Sequence, residues 1–487
     1  MRNVSGKSSI AGSLFWNLFE RVGTQGIQLV VSIVLARLLL PADYGVLSLV
    51  TVFISIATVI VETGFGTALI QKKELEKNDI NAIFTVNMLV SIGLYAVIFF
   101  AAPFIADFYS NYDHDLLTQV LRIYALILPI GATTSVQSSM IYREMQFKKF
   151  FFINLSAIFL SGLTGVVLAI CGAGVWALIA QQITNKVVLF VTLTFTVKWK
   201  PQFTKAFTKC GKMFRFGANV LGNRLLNTVY MQLRSLLIGK FYTSEMLAFY
   251  NKGETFPSMI ATNTDYALQR VMLSAYSKEQ DDLGRIKQMM RKTISASTYL
   301  LSPLMFGMAA CAANIVDVLL TAKWAQTIPF MQLFCMYYFL QPLKTTCAQA
   351  LNGIGRSDIT LKTGAASKIL GIISVIATIW FGTIWIAVGA LVTDVISVVI
   401  FMVANRVMFR YSFREQLRDV LPNMATAAVM VAAVFGVGTL LQGIGSLPTL
   451  IVQVSVGAVV YIALSIVTKN QNFTYLKTTL LGRFFKK

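Results

Sequence analysis

A chain of 487 residues that is 56% hydrophobic and 13% charged, with a mean hydropathy of +0.67, carries more apolar surface than a soluble fold of its length can hide. An average soluble domain is about 25% charged. The net charge is +21, but the basic residues sit in short segments between apolar runs, and no DNA- or RNA-binding motif accompanies them, so nucleic acid is not an expected partner. The five cysteines (Cys171, Cys210, Cys311, Cys335, Cys347) form no Cys-x-x-Cys and the one histidine is His114. Disulfides, a metal site, a bound cofactor and a His-based catalytic triad are therefore not expected.

In chain order, the polar start from Met1 to Ser13 does not read as a cleavable signal. Membrane spans are expected at 14–39, 46–70, 82–104, 118–140, 150–172, 175–197, 214–240, 246–271, 293–320, 328–350, 362–382, 384–408, 420–442 and 449–468. Each is near the length of about 20 residues that a helix needs to cross a hydrocarbon core. Basic residues gather at alternate ends: Arg2 and Lys7, Lys72 to Lys77, Arg143 to Lys149, the runs at 198–215 and 270–292, Arg356 and Lys362, Arg406 to Arg418, and the tail after Lys469. The opposite ends hold Lys323, Arg37 and Lys240 among acids such as Asp43, Asp107, Asp113, Asp115 and Glu245. The positive-inside rule puts the basic ends and both termini in the cytoplasm, and the unbroken alternation requires an even number of spans. Most of the basic loops need do no more than fix this topology and touch anionic lipid.

Ionisable residues recur along the chain. One interval relates Arg21 to Arg224, Arg37 to Lys240 and Glu62 to Asp265; a slightly longer one relates Pro129 to Pro342 and Arg143 to Arg356; an intermediate one relates Trp176 to Trp385 and Asn185 to Asp394. Spans 1–6 and 7–12 thus read as two copies of one unit entering from the same side, a parallel repeat of the kind that transporters use. The expected fold class is an all-α integral membrane protein of about fourteen transmembrane helices, two parallel six-helix repeats plus two C-terminal helices. The lobes are expected at 1–210 and 211–410, with 411–487 holding the last two spans and a cytoplasmic tail.

A charge inside a span costs about 2.5–3.5 kcal/mol on insertion scales, so it is kept only against a partner or beside water. Polar stripes at helical spacing mark span 1 (Asn17, Arg21, Thr24, Gln28), span 7 (Asn219, Asn223, Asn227, Tyr230, Arg234), span 8 (Asn251, Glu254, Ser258, Thr262, Asp265) and span 6 (Gln182, Asn185, Lys186). Together these are expected to wall a wet cavity. Intramembrane cations (those below with Arg122, Lys344 and Lys368) outnumber acids (Glu20, Glu62, Glu254, Asp265, Asp394), which points to an anionic cargo. Candidate cargo-binding residues are Arg21, Arg37, Lys186, Arg224, Arg234, Lys240 and Lys252. Asn17, Gln28, Gln182, Asn185, Asn219, Asn223, Asn227 and Asn251 are candidate polar lining, and Glu62, Asp265 and Glu254 candidate gating or coupling carboxylates. The competing reading is that Arg21 with Glu62, and Arg224 with Asp265, only tie helices together. Lys186, Arg234 and Lys252 have no evident neighbouring acid in sequence. Lys368 reads as a side chain snorkelling to the inner surface.

Several motifs resemble a known family. Ala36-Arg37-Leu38-Leu39-Leu40-Pro41-Ala42-Asp43-Tyr44-Gly45 resembles the first external loop of polysaccharide flippases, and Gly64-Phe65-Gly66 with Ala68-Leu69-Ile70-Gln71-Lys72 the end of their second helix. Arg215-Phe216-Gly217-Ala218, Tyr250-Asn251, Arg270-Val271 and Lys323-Trp324 also fit, although Met272-Leu273-Ser274 replaces a run that often ends in proline. The likeness covers nearly the whole chain and is nearest the colanic-acid-type lipid-linked oligosaccharide translocases of the multidrug/oligosaccharidyl-lipid/polysaccharide exporter superfamily. It implies a polyprenyl-diphosphate-linked oligosaccharide as cargo, flipped from the inner to the outer leaflet of the bacterial inner membrane, with a polysaccharide polymerase or export complex as a further partner. A diphosphate suits arginine, which binds it bidentately. The runner-up is a cation-coupled drug antiporter of the same superfamily, which would need an acidic cavity. An enzyme is not expected: the segment 272–292 with Glu279, Asp281 and Asp282 reads as a solvated connector, Asp113-His114-Asp115 as surface, and no Walker motif appears.

Overall fold

The computed structural model describes residues 7–71, 76–197, 199, 201–204, 211–441 and 443–474; within its helices the side chains of residues 7–15, 17–19, 21–22, 63–71, 211–220, 223, 267 and 270–271 lie outside the described set. The chain forms two compact units, Met1–Ala248 and Phe249–Lys487.

The first unit holds α1 (Lys7–Leu38), α2 (Pro41–Gln71), α3 (Lys77–Phe108), α4 (His114–Tyr124), α5 (Ile127–Arg143), α6 (Phe147–Ile170), α7 (Val175–Thr196), α8 (Gly211–Phe241) and the first turn of α9 (Ser244–Lys278). The second holds the rest of α9, then α10 (Leu283–Ala310), α11 (Ala312–Leu320), α12 (Thr327–Phe339), α13 (Gln341–Gly353), α14 (Ser357–Thr378), α15 (Thr383–Phe409), α16 (Phe413–Leu440) and α17 (Ser446–Val467). A helix or a pair of helices stands at each of the fourteen expected spans, in order. Three of these spans are broken: 118–140 is α4 and α5, 293–320 is α10 and α11 bent by 72°, and 328–350 is α12 and α13.

The breaks follow the repeat. Leu126 precedes α5 and Leu340 precedes α13, and the repeat-related prolines Pro129 and Pro342 lie just inside the helices that follow. Proline lacks an N–H and is tolerated in a helix's first turn, so both copies break and restart within one residue of the same register. Likewise Gly174 (φ +55°) and Gly382 (φ +115°) make the turns before the repeat-related Trp176 and Trp385. Backbones with positive φ favour glycine because it has no Cβ to clash.

Among the described residues, nine helical stretches are long and apolar enough to cross a membrane, or ten with the bent α10–α11 pair. The spans outside that set are α1, α8, α9 and the broken α12–α13. The first three carry the polar stripes read from the sequence, and the part of α1 searched, Gly23–Leu38, is apolar but too short by itself to cross. Outward faces are apolar: Phe104, Phe195 and Leu440 are 74%, 88% and 83% exposed. Side chains this hydrophobic and this open suit acyl chains rather than water.

Within the first unit α1 packs on α6, α6 on α7, and α2 on both α5 and α8. The contacts are close. A Cβ on Gly162 would lie 2.7 Å from Val31 Cγ2, and one on Gly45 would lie 1.9 Å from the Ser244 carbonyl oxygen. In the second unit α10 packs on α12 and α16, α15 on α12 and α14, and α16 on α17, around a core that includes Tyr276, Met290, Leu301, Phe339 and Tyr411.

The segment 272–292 is solvated at its centre, where Lys278, Asp281, Asp282 and Arg285 are exposed, and helical on either side. It belongs to α9 and α10 apart from Glu279 to Asp282, and Asp282 caps α10 by accepting from the Arg285 N–H at 2.9 Å. Lys287 pairs with Glu415 at 2.9 Å, and Arg291 grips Asp419 through Nε and Nη2 at 2.7 and 2.8 Å. The amphipathic pattern of this segment therefore reflects helix packing on α16.

Candidate functional site

Polar side chains inside the first unit converge where α2, α5 and α7 meet. Glu62 on α2 accepts from Lys186 Nζ on α7 at 3.2 Å, with the side chains 35% and 29% exposed. The sequence had given Glu62 to Arg21 and left Lys186 without an acid. Separation along the chain hid the pairing, which depends on how α2 and α7 pack. The α5 backbone passes beside this carboxylate at Gly131, where an added Cβ would lie 3.3 Å from Glu62 Oε1. On the same helices, Asn185 of α7 donates to Ser161 of α6 at 3.4 Å and, two turns farther along α7, Thr194 accepts from Gln137 of α5 at 3.0 Å. On α1, Glu20 accepts from Asn154 at 2.9 Å.

The second unit builds the related cluster from different residues. The interval that relates Pro129 to Pro342 relates Gly131 to Lys344. Lys344 forms an ion pair with Asp394, the residue that corresponds to Asn185, with side chains 15% and 5% exposed. Asp265, which corresponds to Glu62, is 5% exposed; Gln341, Thr345 and Lys344 surround it, and its Oδ1 has no hydrogen-bond partner among the described residues. Where the first unit sets one carboxylate against one ammonium, the second sets two carboxylates around one. Burial of an unbalanced charge is costly, so this cluster depends on the one ammonium that it holds, Lys344. Lys344 and Asp394 were visible as intramembrane charges in the sequence. Their pairing was missed because nothing in the spacing couples span 10 to span 12.

The remaining candidates fall into three groups. Asn17, Arg21, Asn219 and Asn223 have side chains outside the described residues. Gln28, Arg37, Arg224 and Asn227 are exposed, and Gln182, Asn251 and Arg234 half-buried. Lys240, Lys252 and Glu254 are engaged. Lys240 Nζ donates to the Phe108 carbonyl and lies 4.1 Å from the Phe108 ring centroid, while Asn111 donates to the Lys240 carbonyl at 3.1 Å. Lys252 is 7% exposed and lies 5.8 Å from the Trp324 ring, and Glu254 accepts from the Tyr338 hydroxyl at 2.6 Å. Among the described residues no group of three or more His, Cys, Asp or Glu is arranged to hold a metal.

The model of a family described as "Polysaccharide biosynthesis protein" matches residues 34–329, well over half of the chain. The lipopolysaccharide biosynthesis protein WzxC of Escherichia coli is 22% identical over 437 residues, covering 88% of this chain and 87% of that one. The succinoglycan biosynthesis transport protein ExoT of Rhizobium meliloti is 23% identical over 351 residues, 72% and 70% of the two chains. The teichuronic acid biosynthesis protein TuaB of Bacillus subtilis is 24% identical over 393 residues, 78% and 79%. Among solved structures, the lipid II flippase MurJ in an inward closed conformation aligns with a TM-score of 0.73 at 12% identity, over 93% of this chain and 98% of that one. A multidrug-resistance MATE transporter of the MOP superfamily, inward-facing, aligns at 0.61 and 14% identity over 80% and 94%. At such identities the structural likeness speaks to the fold.

Proposed function

Because the chain belongs to the polysaccharide biosynthesis protein family, we propose that it flips polyprenyl-diphosphate-linked oligosaccharide units from the inner to the outer leaflet of a bacterial cytoplasmic membrane for surface polysaccharide synthesis. The observation that carries this is the family match, supported by relatives named for lipopolysaccharide synthesis and succinoglycan transport and by the flippase fold. The excess of intramembrane cations agrees with a diphosphate cargo and argues against the cation-coupled drug antiporter. Both termini lie in the cytoplasm in this reading, and a polymerase or export complex takes the flipped unit.

The lobes 1–210 and 211–410 alternate access along a cation-lined path, with 411–487 appended. Arg21 and Arg224 meet the diphosphate on the inner side, Lys186 and Arg234 hold it deeper, and Arg37 with Lys240 and Lys252 serve the outer side. Asn17, Gln28, Gln182, Asn185, Asn219, Asn223, Asn227 and Asn251 hydrogen-bond the sugar. The Lys186–Glu62 pair supplies the switch: when the diphosphate takes Lys186, Glu62 is released. A ligand shifts a two-state equilibrium only by its differential affinity for the two states, and breaking one pair to make another provides it. Asp265 and Glu254 act as the carboxylates of the second lobe.

The test is reconstitution of the purified protein in liposomes carrying a polyprenyl-diphosphate oligosaccharide, with sugar exposure read by a membrane-impermeant glycosidase. Exposure well above that of protein-free liposomes supports the reading. Export of cationic dyes with no exposure of the sugar would replace it with the antiporter.

A further inference from the structure

A cleft of about 880 Å³ opens where the basic ends of α10, α16 and α17 meet, apart from every residue given a role above. Arg418 and Lys469 stand at it, both exposed, and neither forms an ion pair among the described residues. Its acid, Asp419, is already taken by the bidentate Arg291 and by the Tyr411 hydroxyl at 2.6 Å. The positive charge of the cleft is therefore not cancelled from within. Val429 and Leu464 line it as well, so it offers cations and amides beside apolar wall.

The cleft is preformed. Asn423 donates to the Ser295 carbonyl and to Thr298 Oγ1, both at 2.9 Å; Asn470 donates to Asn423 Oδ1 at 3.2 Å, and Asn472 to Ser295 Oγ at 2.8 Å. This amide ladder fixes the segment after α17 to α10 and α16. Lys469 sits at φ +50°, a left-handed conformation that lysine adopts at a cost, and there it ends α17 and starts the turn into the ladder.

We propose that the cleft binds the phosphate headgroup of an anionic phospholipid of the surrounding bilayer, with Arg418 and Lys469 as its cationic contacts and an acyl chain along Val429 and Leu464. Basic pockets between transmembrane helices recognise such headgroups by charge and membrane depth together. This site is separate from the cargo path and stands or falls independently of flipping.

The experiment measures retention of phosphatidylglycerol against phosphatidylcholine on the detergent-purified full chain by native mass spectrometry. Wild type should retain phosphatidylglycerol preferentially, and Arg418→Ala/Lys469→Ala should lower that retention about thirtyfold, the factor for two basic side chains at a membrane surface. Arg356→Ala/Lys362→Ala, which removes two basic residues from the start of α14, should leave it unchanged. A photoactivatable phosphatidylglycerol applied to wild type gives a readout that does not depend on any variant folding: its adducts should fall at 418–429 and 464–472. Equal retention of the two lipids, equal losses in both double variants, or adducts spread over all basic loops would overturn the proposal. Displacement of phosphatidylglycerol by an equimolar polyprenyl diphosphate would assign the cleft to the cargo instead.

Discussion

Lys186 Nζ lies 3.2 Å from Glu62 Oε1 across the α2–α7 contact, and both side chains remain about a third exposed. Removing one partner of a fully buried pair costs about 3–5 kcal/mol because a lone charge is left behind; partial exposure reduces this to about 1–2 kcal/mol. Lys186→Ala and Glu62→Gln should each lower the melting temperature of the detergent-purified protein. The double variant should lose less than the two single losses combined. Simple additivity would show that the two side chains do not interact.

The repeat offers a sharper version of the same test. The second unit carries its cation at Lys344, the position that corresponds to Gly131 beside Glu62. Moving the cation, Lys186→Ala with Gly131→Lys, should recover part of the stability lost in Lys186→Ala. A transplant no more stable than Lys186→Ala, while Gly131→Ala alone is tolerated, would count against the structural equivalence of the two sites.

Lys344 pairs with Asp394, 5% exposed, and is the ammonium near Asp265, also 5% exposed. Lys344→Ala leaves both acids buried, whereas Asp394→Asn leaves a balanced pair. The lysine variant should therefore be the more damaging, by about 2 kcal/mol or more, seen as lower folded yield on size-exclusion chromatography. Lys344→Ala/Asp394→Asn should recover part of that loss. The reverse order of severity would mean that Asp265 draws no support from Lys344.

Gly45 ends the Pro41-Ala42-Asp43-Tyr44-Gly45 motif, and a Cβ there would sit 1.9 Å from the Ser244 carbonyl oxygen. Both groups belong to backbone, so neither can swing away, and overpacking of this kind costs about 1–3 kcal/mol. Gly45→Ala should cut the yield of folded protein. Gly26→Ala should not, since nothing lies within 4 Å of a Cβ at that position.

Much of the fold was legible because a membrane imposes one simple rule, a run of apolar residues long enough to cross it. That rule placed every span from 14–39 to 449–468. It was blind to the breaks at Leu126, Cys311 and Leu340, since hydropathy continues through them and only the repeat-related Pro129 and Pro342 hinted at two of the three. The candidate site was legible as an inventory of charges and not as a set of partners. Lys186 had no neighbouring acid along the chain, yet Glu62 reaches it through the fold; Lys240, read as a cargo contact, also donates to the Phe108 carbonyl and lies over its ring, contacts that spacing does not reveal. Sequence spacing reports the face of one helix. Which faces meet is decided by close contacts such as Gly162 against Val31.

The central claim is that intramembrane cations carry a diphosphate-linked sugar across the bilayer. The most direct measurement is the glycosidase-accessibility rate in proteoliposomes for wild type, Arg21→Gln/Arg224→Gln and Arg21→Lys/Arg224→Lys, each matched for folded protein. The glutamine pair should slow exposure of the sugar at least about tenfold, the effect of losing roughly 1.4 kcal/mol of charge-assisted binding. The lysine pair should keep an intermediate rate, since lysine retains the charge and loses the bidentate grip. Equal rates for all three proteins would contradict the claim and leave Arg21 and Arg224 as residues that only hold helices in place.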